Sequence, residues 1–236
     1  MFRPFYLAMG LLWAEIASPG AEIEGTVTVT RRLTRQRVTA PVSTYDRGVA
    51  TPLEVEEKPD FVAAEMDRVA IFLEGGRAVP TAPGKGQTVE LVQRNRRFVH
   101  DTIVIPAGAT VSFPNYDPIF HNVFSLSSAK SFDLGNYPQN QTRTVQFSKP
   151  GIVPVFCRLH PNMSATVVVA PGRWVTKPDA QGRYRLNDVP PGKYTVVTWH
   201  KSAGAFRQTV TIPESGLTTV DFIIPLDPQN WARQGP

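Results

Sequence analysis

The sequence predicts an all-β protein, a β-sandwich followed by a further set of strands. Two observations carry this expectation. Val, Ile, Thr and Phe come in short runs of strand length, several of them alternating with polar residues. The runs are separated by turn-forming Gly, Pro and Asn, in a chain of 236 residues with 17 Gly and 22 Pro. That length suits one large domain or two small ones with real cores.

The elements follow in order. Residues 1–21 begin with Arg3, continue with the apolar run Phe5–Ala14, and reach the small residues Ala17, Ser18, Gly20 and Ala21. This is the layout of a secretory signal peptide, too short for a membrane span, although Glu15 falls in the cleavage region. It implies a periplasmic or secreted protein, with no integral membrane span once the signal is removed. Glu22–Leu33 alternates as a half-buried strand should. Residues 34–66 are charged and proline-containing, a loop with a short helix at Phe61–Met66. Arg68–Gly75 is a strand closed by Gly75 and Gly76, and Thr81–Gln87 is a turn cluster. Strands are expected at Thr88–Asn95, Thr102–Gly108, Ala109–Asn115, Ser131–Tyr137, Arg143–Phe147, Gly151–Cys157 and Ser164–Ala170. Two loops, Tyr116–Val123 and Arg158–Met163, interrupt them. Beyond Pro171–Trp174, the stretch Asp179–His200 holds a turn, a strand, a Pro-Pro-Gly turn and another strand. Phe206–Ile212 and Thr218–Pro225 complete the set, and residues 227–236 form a polar tail. This spacing suggests antiparallel pairing.

The net charge of +5 and pI of about 9.5 raise nucleic acid as a partner. No basic helix or aromatic–basic motif accompanies them, so nucleic acid is not expected. Cys157 is the only cysteine and cannot form an internal disulfide. In an exported chain it is a reactive thiol, an intermolecular link, a metal ligand or a buried inert group. Its neighbours favour the metal. FCRLHPNM (Phe156–Met163) sets His160 three residues after Cys157 and Met163 three further on. A thiolate, an imidazole and a thioether are soft ligands suited to copper, and NYDPIFHNVF supplies a second imidazole in His121. Zinc is less suited to a thioether.

The span from about Thr88 to Pro171 resembles the cupredoxins, most closely the plastocyanin and amicyanin branch. The resemblance lies in NYDPIFHNV (Asn115–Val123) and CRLHPNM (Cys157–Met163), two motifs in the family's order. It implies a Greek-key β-sandwich and a type 1 (blue) copper site with His121, Cys157, His160 and Met163 as ligands. By the same resemblance, Asn122 ties the two ligand loops together and hydrogen-bonds around the thiolate. The exposed edge of His160 is the family's electron port. Arg158 and Leu159 stand where close family members carry small or polar residues. Arg158 beside the port is expected to favour an acidic redox partner protein.

DAQGRYRLNDVPPGKYTVVTW (Asp179–Trp199) resembles the carboxypeptidase regulatory-like (transthyretin-like) β-sandwich, with Asp179, Gly182 and Gly192 as turn formers and Tyr184 and Tyr194 as core aromatics. That family starts with two earlier strands, which here would be Gly25–Val29 and Val69–Gly75. The resemblance suggests a cupredoxin domain over 87–171 inserted into a discontinuous unit of 22–86 plus 172–226. The simpler alternative is an N-terminal arm packed on two consecutive domains.

The expected function is one-electron transfer by an exported mononuclear copper protein, with a copper-delivery or complex-docking module as the alternative. An enzyme is not expected. Multicopper oxidases and copper nitrite reductases need further histidine clusters, and this chain has four His. His100 and His200 are expected at the solvent edge, with a second metal site at them left open.

Overall fold

The computed structural model describes residues 20–33, 61–76 and 84–225, and there the chain is all-β but for one short helix. In chain order its elements are β1 (Ala21–Val29), α1 (Phe61–Met66), β2 (Val69–Gly75), β3 (Thr88–Glu90), β4 (Gln93–Arg94), β5 (Arg97–Phe98), β6 (Thr102–Pro106), β7 (Thr110–Pro114) and β8 (His121–Leu126). They continue with β9 (Ser131–Tyr137), β10 (Thr142–Gln146), β11 (Gly151–Phe156), β12 (Ser164–Ala170), β13 (Val175–Thr176), β14 (Arg183–Val189), β15 (Gly192–His200), β16 (Gly204–Ile212), β17 (Leu217–Thr219) and β18 (Phe222–Ile224). Residues 1–19 of the expected signal, residues 34–60, the start of the turn cluster at 81–83, and the tail 227–236 lie outside the described residues. Ala21, placed at the end of the signal, is a buried residue of β1 paired with Val189.

A first sandwich sets the sheet β6-β12-β11-β8-β9 against the sheet β10-β7-β3. Alternation along each strand sends Ile103, Ile105, Val153, Val155, Val167 and Val169 from one sheet, and Val111, Phe113 and Val145 from the other, into one core. Burying one such side chain stabilises the fold by about 1.5–3 kcal/mol relative to leaving it in water. The pairing is mixed rather than antiparallel. β6 runs parallel to β12, and β3 parallel to β7. Alternation reports which face of a strand is buried and says nothing of its direction, so sequence spacing alone could not show this.

A second β unit draws strands from both ends of the chain. The order β14-β1-β17, with β18 also on β1, forms one sheet, and β13-β2-β15-β16 the other. Ile23, Val27, Ile71, Leu73, Tyr184, Leu186, Val196 and Phe222 fill the core between them. Gly25 pairs with Tyr184 and Phe72 with Val197.

The two units meet at β12, and this explains its sequence. SATVVVA does not alternate because both faces of the strand are covered. Val167 and Val169 enter the first core, while Val168 and Ala170 pack on Ala70, Phe72 and Val197 of the second unit. Polar groups clasp the edge of this joint. Lys177 Nζ donates to the Asp67 carbonyl at 2.7 Å, to Asp67 Oδ1 at 2.9 Å and to the Thr102 carbonyl at 2.5 Å. Arg68 pairs with Asp101 at 2.7 Å. Burial alone would raise the Asp67 carboxyl. The Lys177 charge, with hydrogen bonds from the Asp101 N–H, Lys177 and His100, outweighs burial and holds it below the usual carboxylate range.

The expected strand Thr88–Asn95 breaks after Glu90. Leu91 donates its N–H to Ser112, and Asn95 and Arg96 both take φ of 56°. Consecutive left-handed residues make the tight turn of a hairpin, so β4 and β5 fold back on each other. Asn tolerates that conformation without a glycine to advertise it.

Candidate metal centre

Asn115, fully buried at the end of β7, shapes the loop that follows. Its side-chain amide donates to the Ile119 carbonyl at 2.9 Å and the Tyr137 carbonyl at 3.2 Å. Its Oδ1 accepts the Asp117 N–H at 2.9 Å. The turn aims the Asp117 carboxylate inward, where it accepts the N–H groups of Asn95 at 2.6 Å and Arg96 at 2.8 Å. It also accepts from His121 Nε2 at 2.7 Å. His121 therefore opens β8 rather than lying within a loop, and the strand runs on past Val123 to Leu126.

The second loop is closed on itself. Phe156 and Ser164 form the last rung between β11 and β12. The Cys157 N–H donates to the Met163 carbonyl at 3.1 Å, and the Met163 N–H to the His160 carbonyl at 2.9 Å. Pro161 removes one backbone N–H beside His160 and stiffens the loop.

Together the two loops bring three donor atoms into a triangle. His121 Nδ1 and His160 Nδ1 are 3.1 Å apart, His160 Nδ1 and Cys157 Sγ 3.5 Å, and His121 Nδ1 and Cys157 Sγ 3.8 Å. A transition-metal ion with bonds of about 2.0 Å to nitrogen and about 2.3 Å to sulfur, at angles of roughly 100–120°, spaces its ligands by these distances. The tautomer also fits. The Asp117 carboxylate can only accept, so His121 carries its proton on Nε2 and presents a bare Nδ1 lone pair to the triangle.

His121 and Cys157 are buried, and His160 is the half-buried member that reaches the surface. Burial pushes His160 below the usual imidazole range, with His121 and the Arg96 guanidinium adding to the effect and Asp117 opposing it. Asp117 is held below the usual carboxylate range. Burial would raise it, but the Arg96 N–H, the His121 hydrogen bond and the Asn95 N–H prevail. Met163 is buried in the same core cluster as Cys157.

Asn122 does part of what the resemblance implied, by another route. Its backbone N–H points at Cys157 Sγ at 3.5 Å. Its side chain donates to Asp133 on β9 at 2.6 Å, and Asp133 in turn pairs with Arg158 at 2.8 Å. The tie between the loops passes through Asp133. The Gly135 N–H and Asn122, against a small effect of burial and helped by Arg158, hold Asp133 below the usual carboxylate range. Arg158, expected to make the port basic, thus has its charge offset by Asp133, and its guanidinium lies 4.9 Å from the Phe124 ring centre.

The remaining histidines are engaged elsewhere. His100 is exposed and meets Asp67 at 2.9 Å. His200, expected at the solvent edge, is fully buried and bonded to Glu65 at 3.0 Å. Its position at the end of β15 suggested exposure, but α1 covers that end and places Glu65 against it.

Asp117, Asn115 and Asp133 are the residues that reading the motifs for ligands passed over. The signal for Asp117 was present, a carboxylate four residues before His121 in the same motif. Asp133 gave no local signal, because β9 brings it in from another strand.

No family model and no curated protein matches the chain. Solved structures similar to it include a reduced mutant of amicyanin, at 18% identity over 44% of this chain and 99% of that one, with a TM-score of 0.34. A purple cupredoxin from Nitrosopumilus maritimus is similar at 21% identity, covering 36% of this chain and 99% of that one, with a TM-score of 0.32. A copper-containing nitrite reductase from Thermus scotoductus is similar at 21% identity, over 41% of this chain and 24% of that one, with a TM-score of 0.33. Overlaps of this extent leave the weight on the three donor atoms themselves.

Proposed function

We propose that the chain holds one copper ion on His121, Cys157 and His160, with Met163 as a fourth, weak ligand, and passes single electrons through it as an exported carrier. The donor triangle supports this most directly. A bound copper would supply reversible one-electron chemistry. The residues around it do the rest. Burial of His121 and Cys157 keeps water from the donors, and the cupredoxin-like sandwich holds their spacing in both oxidation states. Asp117 fixes the His121 tautomer, and Asn122 offers its N–H to the sulfur. Such contacts orient ligands and tune a metal's potential. His160 gives the centre its path to the surface.

Copper suits this donor set better than zinc because the loop that carries Cys157 also carries the thioether of Met163, buried in the same core cluster. A carrier rather than an enzyme is favoured because His100 and His200 are hydrogen-bonded to carboxylates far along the chain from the triangle. The apolar run Phe5–Ala14 behind Arg3 supports export to the periplasm or beyond. A copper-delivery or docking role is the second reading, favoured by the second β unit packed along β12.

Stoichiometric Cu(II) loading, followed by visible and EPR spectra, tests the proposal with Cys157→Ser as control. An intense charge-transfer band that the substitution abolishes is expected. A faint band that survives it would rule out a copper–thiolate centre. Fast, reversible cycling then marks a carrier, whereas tight Cu(I) retention and handover to a metal-free acceptor marks delivery.

A further inference from the structure

We propose that the hairpin β4–β5, through Arg94, Arg96 and Arg97, is the docking element for an acidic redox partner protein at the surface where His160 emerges. The proposal rests on the electron-transfer role above and identifies its partner by charge.

The hairpin places three arginines within four residues, all exposed. Among the described residues none of the three pairs with a carboxylate. Arg68, Arg158, Arg183, Arg185 and Arg207 each do. A cluster of unpaired guanidiniums gains most from carboxylates brought by another molecule, which it can grip in planar, two-pronged fashion.

The hairpin is also tied to the candidate centre. The N–H groups of Asn95 and Arg96 at its tip both donate to Asp117, and Asp117 accepts from His121, whose other ring nitrogen is 3.1 Å from His160. Arg94 lies 5.2 Å from the Tyr116 ring centre in the same loop. A tip fixed in this way loses little freedom on docking.

Apolar surface completes the site. Phe120 is 55% exposed and Leu159 46% exposed, each the residue just before a histidine of the triangle, and Tyr116 is 43% exposed beneath Arg94. Large exposed apolar side chains gathered beside a charged rim mark an association surface. Arg158, the basic residue that opens the second loop, contributes less because Asp133 already answers it. A protein is favoured over nucleic acid because the occupant must accept or supply electrons.

The test uses the full chain and two kinds of probe. A labelled twelve-residue oligoglutamate peptide, titrated by fluorescence anisotropy, reads the hairpin with or without metal. Ferricyanide and tris(phenanthroline)cobalt(III), one-electron oxidants of opposite charge, read the rate at which the copper-loaded protein, first reduced to Cu(I) with ascorbate and desalted, gives up its electron. Replacing Arg94, Arg96 and Arg97 by Glu is expected to weaken peptide binding at least tenfold, to slow ferricyanide about tenfold and to speed the cationic complex. Because Arg96 sits in the turn, the pair Arg94→Gln and Arg97→Gln is a second variant, expected to weaken the peptide at least threefold. Arg158→Gln is expected to change it less than twofold. Unchanged peptide binding in both hairpin variants would overturn the proposal. So would a single-stranded oligonucleotide bound tenfold more tightly than the peptide through the same arginines, which would assign the hairpin to nucleic acid. A chain with no Cys157-dependent copper band would overturn the redox role instead, whatever the peptide does.

Discussion

Asp117 accepts the Nε2 proton of His121 at 2.7 Å, and this one bond decides which nitrogen His121 offers to Cys157 and His160. The same carboxylate anchors the Asn95–Arg96 turn, so it connects the candidate centre with the hairpin beside it. Asp117→Ala is therefore expected to weaken Cu(II) binding by about 10–100-fold, the usual effect of removing a carboxylate behind a metal-binding histidine. Competition against a chelator of known affinity measures this. An unchanged affinity would mean that packing alone orients the ring.

How far this was legible in the sequence differs by residue. His121, Cys157 and His160 stood out because their chemistry is rare and their spacing tight, and the structure brings those three together. Asp133 could not be read in advance because β9 places it opposite Phe124, within reach of the Asn122 side chain, only once the sheet has formed. The turn at Asn95–Arg96 carries no glycine, so the hairpin passed for a continuous strand. Alternation located β6 and β12 but could not reveal that they run parallel. His200 was misplaced because a strand end looks exposed until the distant helix α1 covers it. Periodicity reports one local face, and the misses at Asp133, at β6 and β12 and at His200 each depended on a partner far along the chain.

Metal removal should register as stability. Without an ion, two imidazole nitrogens face each other at 3.1 Å and can bond only if one carries a proton. An ion that binds the folded state alone, at a hundred times its dissociation constant, adds about 2.7 kcal/mol. For a chain of this size that corresponds to a rise of roughly 5–10 °C in Tm. Thermal melts with Cu(II) and with chelator measure the difference. Cys157→Ser is expected to remove most of it, and a full rise in that variant would count against the sulfur as a ligand.

Acid should act on the buried pair of His200 and Glu65. His200 Nδ1 accepts the N–H groups of Ser202 at 3.1 Å and Ala203 at 3.2 Å, so its proton sits on Nε2, toward Glu65. Charging the ring would set a proton on Nδ1 against those two donors. Burial lowers its pKa, and Arg68 adds to this, while the charge and hydrogen bond of Glu65 pull the other way. The sign follows from linkage. Below the unfolded value of about 6.5 the unfolded chain takes up a proton that the folded chain refuses. Stability contributed by the neutral ring is complete above that pH and is lost as pH falls through it toward the folded value. His200→Gln is expected to cost about 1–3 kcal/mol at pH 7.5 and to flatten the decline between pH 6.5 and 5. Urea unfolding across that range measures both, and an equally steep decline in the variant would place the acid sensitivity elsewhere.

Gly25 in β1 offers a test confined to the second β unit. A methyl group added there would lie 1.9 Å from the Val220 carbonyl oxygen and 3.0 Å from the Tyr184 ring. Neither neighbour yields readily. The Tyr184 hydroxyl donates to that same carbonyl at 2.6 Å, and the Val220 N–H donates to the Glu24 carbonyl at 2.8 Å. Gly25→Ala must therefore either displace β1 from its neighbours or break the bond that Tyr184 buries. Overpacking of this kind costs about 1–3 kcal/mol, sometimes more. The denaturation midpoint is expected to fall by a corresponding amount, while Cu(II) affinity stays within twofold because the donor triangle belongs to the other sandwich. A fall in copper affinity together with stability would instead show that the packing of Val168 and Ala170 on β2 couples the two units energetically.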